Sequence, residues 1–132
     1  MPLNPRLAGT VVLLVEDEWI LRTVVADELQ REGWRVVEAS TAEDAISLMR
    51  QAHCVDVLVT DIKLAGRLTG WELAEELRLL DPALPVVYAS GSPPDLSRAV
   101  PGSIFVTKPV VPRQIVETCR KLISVESEGE HI

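Results

Sequence analysis

One regularity constrains the fold of this chain more than any other. Five short extended runs, mostly aliphatic, alternate from end to end with stretches of helical periodicity. The extended runs are 11–15, 35–38, 55–60, 85–89 and 103–107, and several, such as VVLLV, have no polar face at all. Strands buried on both sides read this way. The first helical stretch places Leu21, Val24, Val25 and Leu29 on one stripe and stops at Gly33. The second opens with the capping-box spacing Ser40-x-x-Glu43 and repeats Ala42, Ala45, Ile46 and Met49. The third opens with Thr69-x-x-Glu72, carries Leu73, Leu77 and Leu80, and ends at Asp81-Pro82. The last starts at Pro112, suited to a first helical turn, and repeats Ile115, Val116, Cys119, Leu122 and Ile123. Such alternation predicts an α/β fold, a parallel sheet with helices on both faces.

Composition narrows the class. With 132 residues, 47% of them hydrophobic, the chain makes one domain with a real core. No apolar run approaches the ~20 residues of a membrane span. The start, MPLNPRLAGT, has no signal-peptide pattern, so a cytoplasmic protein with no membrane partner is expected. A net charge of -7 argues against a nucleic-acid partner, because binding there rests on Lys and Arg neutralising phosphates. Cys54 and Cys119 have no metal-ligand spacing and read as small core residues. Residues 1–9 read as an extension, 10–125 as the domain and 126–132 as a frayed polar tail.

In parallel sheets flanked by helices, function collects beyond the carboxyl ends of the strands. The chain places Glu16 and Asp17 after the first run, Asp61 after the third, Ser90 after the fourth and Lys108 after the fifth. Glu18 extends the first group and reads as a helix N-terminal acid. Carboxylates this dense repel one another unless a cation or a positive side chain compensates them. Three acids without His or Cys form a hard oxygen site, suited to Mg²⁺ rather than Zn²⁺. A carboxylate beside such an ion can attack phosphorus and form an acyl phosphate. Lys108, the Ser90 hydroxyl and the ion could then meet the phosphoryl oxygens.

The segments LLVEDE, VLVTDI, VVYASG and FVTKP, in this order, resemble the signature segments of the receiver domain of two-component response regulators. The resemblance spans about residues 10–125. It implies a flavodoxin-like, doubly wound five-stranded parallel sheet in the order 2-1-3-4-5. It also implies that Asp61 accepts the phosphoryl group from a sensor-kinase or phosphotransfer-protein phosphohistidine. Mg²⁺ would be held by Glu16, Asp17, Asp61 and the backbone carbonyl of Lys63. Ser90 would be the switch hydroxyl, Lys108 the site lysine, Phe105 the switch aromatic, and Pro109 the proline of a cis peptide. Trp19 is expected to overhang the metal site, Trp71 to cover the loop after Asp61, and Trp34 to pack at an element boundary.

Three departures from the family pattern stand out. The loop DIKLAGRLTGWEL lacks the usual proline and is about one residue longer, with Gly66 and Gly70 giving it freedom. The stretch SGSPPDLSRAVPGSIF is short and holds Pro93, Pro94 and Pro101, so the fourth helix is expected to be short or absent. Lys63 and Ser92 occupy the positions that orient an attacking water in fast self-dephosphorylating relatives, and neither suits that task. The resulting expectation is a single-domain signalling module, complete from Met1 or else a receiver cut from a longer hybrid kinase, that is no enzyme beyond its own phosphorylation and slow dephosphorylation. It would act on an unknown downstream protein. A degenerate receiver that binds partners without phosphorylation is the alternative, and an aspartyl-phosphate phosphatase a weaker one.

Overall fold

A computed structural model describes residues 9–52, 54–91 and 97–130, without the side chains of 52 and 125–130. Five strands, β1 (Val11–Val15), β2 (Arg35–Ala39), β3 (Val57–Thr60), β4 (Val86–Ser90) and β5 (Ile104–Thr107), form one sheet in the order β2-β1-β3-β4-β5. All pairings are parallel. The helices are α1 (Trp19–Gln30), α2 (Ala42–Ala52), α3 (Gly70–Leu80) and α4 (Pro112–Glu130). This is the flavodoxin-like order, with a core on each face of the sheet.

The two-residue period of a strand divides each aliphatic run between the two cores. In β1, Leu13 and Val15 face the core shared with α2 and α3, alongside Ala42, Ala45, Leu73 and Leu77. Val12 and Leu14 face the other, with Val25, Ala26 and Leu29 of α1 and Ile115, Val116, Cys119 and Ile123 of α4. The unbroken run VVLLV thus has no residue left for solvent, and every one is buried. Trp34, just before β2, is buried in the second core, as an element-boundary packing residue should be.

Several local expectations are corrected. In α1 the buried stripe is Val25, Ala26 and Leu29, while Val24 is exposed. Thr41, not Ser40, caps α2: its Oγ1 accepts the Asp44 N–H at 3.1 Å, so the helix starts one residue later than the spacing predicts. The capping box of α3 forms as read, with Thr69 and Glu72 exchanging hydrogen bonds, yet Leu80 is exposed at the last turn. Val55 and Asp56 precede β3 rather than joining it; the Asp56 carboxylate instead accepts the Val11 N–H. Cys54 is exposed in that same connection, whereas Cys119 is buried and its thiol is pushed by burial up to about 12. The helix α4 runs on to Glu130, through most of the segment expected to fray.

Between β4 and β5 there is no helix among the described residues, and 97–102 form turns. The remainder of that connection, with Ser92, lies outside the described residues, as do His53 and His131. No helix of the described residues is long and apolar enough to cross a membrane.

Candidate functional site

The carboxyl ends of β1, β3, β4 and β5 bring the polar strand-end residues onto one edge. Glu16 follows β1 and is 5% exposed; Asp61 follows β3 and is 8% exposed. Their backbones extend the sheet: Glu16 N–H donates to the Ala39 carbonyl at 3.1 Å, and Asp61 N–H to the Val15 carbonyl at 3.0 Å. That pairing aims both carboxylates at the same edge. Lys108, just past β5, donates from Nζ to Asp61 Oδ2 at 2.8 Å and to Glu16 Oε1 at 3.3 Å. The other oxygens are also engaged: Asp61 Oδ1 accepts the Ile62 N–H at 2.6 Å and Glu16 Oε2 the Glu18 N–H at 3.2 Å.

Asp17 is exposed, and the carboxylates of Glu16, Asp17 and Asp61 offer oxygens within 4.8 Å of one another. An all-oxygen donor set of this size and charge fits Mg²⁺, a hard cation that keeps part of its water shell. Lys63 is exposed in the loop beyond Asp61. Ser90 is the last residue of β4, nearly buried, and its carbonyl accepts the Lys108 N–H at 3.0 Å. The Lys108–Pro109 peptide bond is cis.

One ammonium does not balance three acids, and burial makes the imbalance felt. Burial, above all, pushes the Glu16 carboxyl up to about 7; the Asp61 charge adds to this, and the Glu18 N–H and Lys108 oppose it. For Lys108, burial works toward a lower pKa. The hydrogen bond to Asp61 and the charges of Asp61 and Glu16 outweigh it, so its pKa is raised and it stays an ammonium. Beneath the acids lies a cavity of about 20 Å³, lined by apolar groups such as Leu14, Val59, Ala89 and Ile115.

The aromatic expectations separate. Trp19 opens α1 two residues beyond Asp17 and is 65% exposed. Trp71 is buried in the core that also takes Ile62, Leu64 and Leu68 of the loop after Asp61, its ring 4.6 Å from Tyr88 and 6.4 Å from Phe105 between centroids. Phe105 is half-buried on β5 and completes that cluster.

Sequence reasoning missed two residues near the site. Arg22 of α1 donates from Nη1 to the Glu16 carbonyl at 2.7 Å and from Nε to Glu38 at 3.2 Å, clamping the turn that carries the acids. Its only signal is a basic residue one helical turn beyond the acidic run. Gly70, expected to give the loop freedom, has no positive φ. It is needed for close approach, since a Cβ there would stand 2.0 Å from the Asp61 carbonyl oxygen.

A family model, the response regulator receiver domain, matches residues 12–120. The chain belongs to this receiver-domain family. Among its relatives, the transcriptional regulatory protein CssR of Bacillus subtilis is 29% identical over 118 residues, which cover 86% of this chain and 51% of CssR. The sensor kinase CckA of Brucella abortus is 31% identical over 123 residues, covering 89% of this chain but 13% of CckA. This receiver thus spans about half the length of the first relative and a small part of the second. The crystal structure of a response regulator receiver protein from Sinorhizobium medicae superposes with a TM-score of 0.82 at 32% identity, covering 88% of this chain and 95% of that one.

Proposed function

We propose that this receiver accepts a phosphoryl group on Asp61 from the phosphohistidine of a sensor kinase or phosphotransfer protein, with Mg²⁺, and signals through changed protein contacts or onward phosphotransfer. The observation that carries the reading is the Lys108 ammonium 2.8 Å from Asp61 Oδ2, inside a cluster of three carboxylates. Glu16, Asp17, Asp61 and the Lys63 carbonyl would hold the ion, which neutralises phosphoryl charge when bound. Asp61 attacks the phosphorus through Oδ2 as the bond from phosphorus to the donor histidine nitrogen breaks and the imidazole leaves, while Oδ1 stays fixed by the Ile62 N–H. Lys108 then moves its ammonium from the carboxylate to a phosphoryl oxygen, and the Ser90 hydroxyl donates to another. The receiver match within a sensor kinase supports a kinase partner.

The chemistry ends at self-phosphorylation and slow self-dephosphorylation in a cytoplasmic protein, with neither nucleic acid nor membrane as a partner. Slow loss follows because neither Lys63 nor Ser92 carries a carboxamide or carboxylate able to orient an attacking water. Intact mass after incubation with acetyl phosphate tests the reading. Wild type should gain one phosphoryl group only with Mg²⁺ present, and Asp61→Asn none. After donor removal the adduct should outlast minutes; loss within seconds contradicts slow dephosphorylation, and no adduct at all sinks the phospho-acceptor role.

A further inference from the structure

The loop after Asp61 departs from the family pattern in length and in its missing proline, so something else must fix its path. At the base, Gly70 N–H donates to the Ile62 carbonyl at 2.7 Å. At the crest, Thr41 and Ala65 form an isolated parallel bridge, and Glu43 Oε2 of α2 accepts the Arg67 N–H at 3.0 Å. Between them Gly66 adopts a φ of 95°, and a Cβ there would lie 2.9 Å from Glu43 Oε1, so the chain passes directly against the carboxylate. The Arg67 N–H, first among several donors and charges, holds the Glu43 carboxyl below its ordinary range. Its negative charge strengthens that hydrogen bond. Leu64 and Leu68 pack on the core, but apolar contact is non-directional and leaves the peptide planes free to turn. The hydrogen bond to Glu43 is directional.

We propose that Glu43 is a positioning residue for the phosphorylation site, its carboxylate strapping the 62–69 loop to the start of α2 so that the Lys63 carbonyl is held ready for Mg²⁺. This rests on the receiver reading. The strap acts on the ion through the backbone: Arg67 is four residues from Lys63, in a segment outside any helix or named strand. It also makes α2, which contributes no acid to the cluster, part of the machinery that orders the site.

The test is Mg²⁺ titration of wild type, Glu43→Gln and Glu43→Ala by tryptophan fluorescence, with exchange of the Arg67 amide followed in parallel. Acetyl phosphate labelling at low and saturating Mg²⁺ completes it. Glu43 is exposed, so neither substitution touches the core. Glu43→Ala should bind Mg²⁺ roughly tenfold more weakly, as expected for loss of an outer partner that orients a ligand. Its Arg67 amide should exchange faster, and its labelling should fall at low Mg²⁺ and recover at saturation. Glu43→Gln, which keeps a carbonyl acceptor, should remain near wild type. Wild-type Mg²⁺ affinity in Glu43→Ala, or labelling that stays low at saturation, overturns the strap while leaving the receiver reading intact. A wild type that neither binds Mg²⁺ nor takes a phosphoryl group overturns the receiver reading, and the strap with it.

Discussion

Glu16 is nearly buried, shares Lys108 with Asp61, and carries a carboxyl pushed from 4.5 to about 7. A carboxyl raised on folding is protonated more readily in the folded chain. Its contribution to stability is therefore fully present below about pH 4.5 and is lost as pH rises through about 7. The loss is on the order of 3 kcal/mol. In chelator, wild type should lose stability across pH 5–8 relative to Glu16→Gln, and Mg²⁺ should abolish most of the difference. Parallel denaturation curves for the two proteins across that range would show that Glu16 is not strained. The acids and Lys108 were legible in the sequence because each breaks an apolar run at the point where a strand must end. Arg22 and Glu43 were not: their site partners are a carbonyl and an N–H, which every residue possesses. Glu43 also meets its partner 24 residues away.

At the scale of elements, the strands were legible because burial on both faces leaves a run with no polar position. Helix faces were less so. Val24 and Leu80 continue apolar stripes past the point where a neighbouring element covers them, and stripes alone do not show where cover ends. The prolines between β4 and β5 speak against a full helix there, but nothing in the sequence shows how the far end of the connection is held. There the fully buried Tyr88 hydroxyl accepts the Val100 N–H at 3.2 Å, while Arg78 of α3 donates to the Leu84 and Pro101 carbonyls. Burial, chiefly, raises the Tyr88 pKa, so the hydroxyl stays neutral at physiological pH. Tyr88→Phe leaves a buried N–H without its acceptor, which costs about 1–3 kcal/mol. Urea denaturation should register that loss, with faster exchange of the Val100 amide, while phosphoryl uptake on Asp61 is kept. Unchanged stability would mean that this end of the connection is held by the core contacts of Val100 alone.

At the scale of the molecule, the two sides of the sheet are built differently. On one side α1 and α4 are tied by ion pairs of Arg113 with Glu28 and Glu32 and of Arg120 with Glu32, near the end of α1. On the other, α2 and α3 share a core with β1, β3 and β4, Trp71 of α3 reaching Tyr88 and Phe105, and no helix joins β4 to β5 among the described residues. Receivers commonly dimerise through the face formed by a helix in that place, the last strand and the last helix. Among the described residues that face has no such helix, and two copies each carrying a net charge of -7 repel at long range. The last helix cannot substitute, because its Ile115, Cys119 and Ile123 face inward against the sheet. The prediction is a monomer in both signalling states. Sedimentation at tens of micromolar, with Mg²⁺ and with or without beryllofluoride as the phosphoryl mimic, should give one species of 14.5 kDa. A species of twice that mass appearing only with the mimic would show that phosphorylation completes a dimer face without a regular helix. A single species in both states directs the signal to a different protein, reached through surfaces around Asp61.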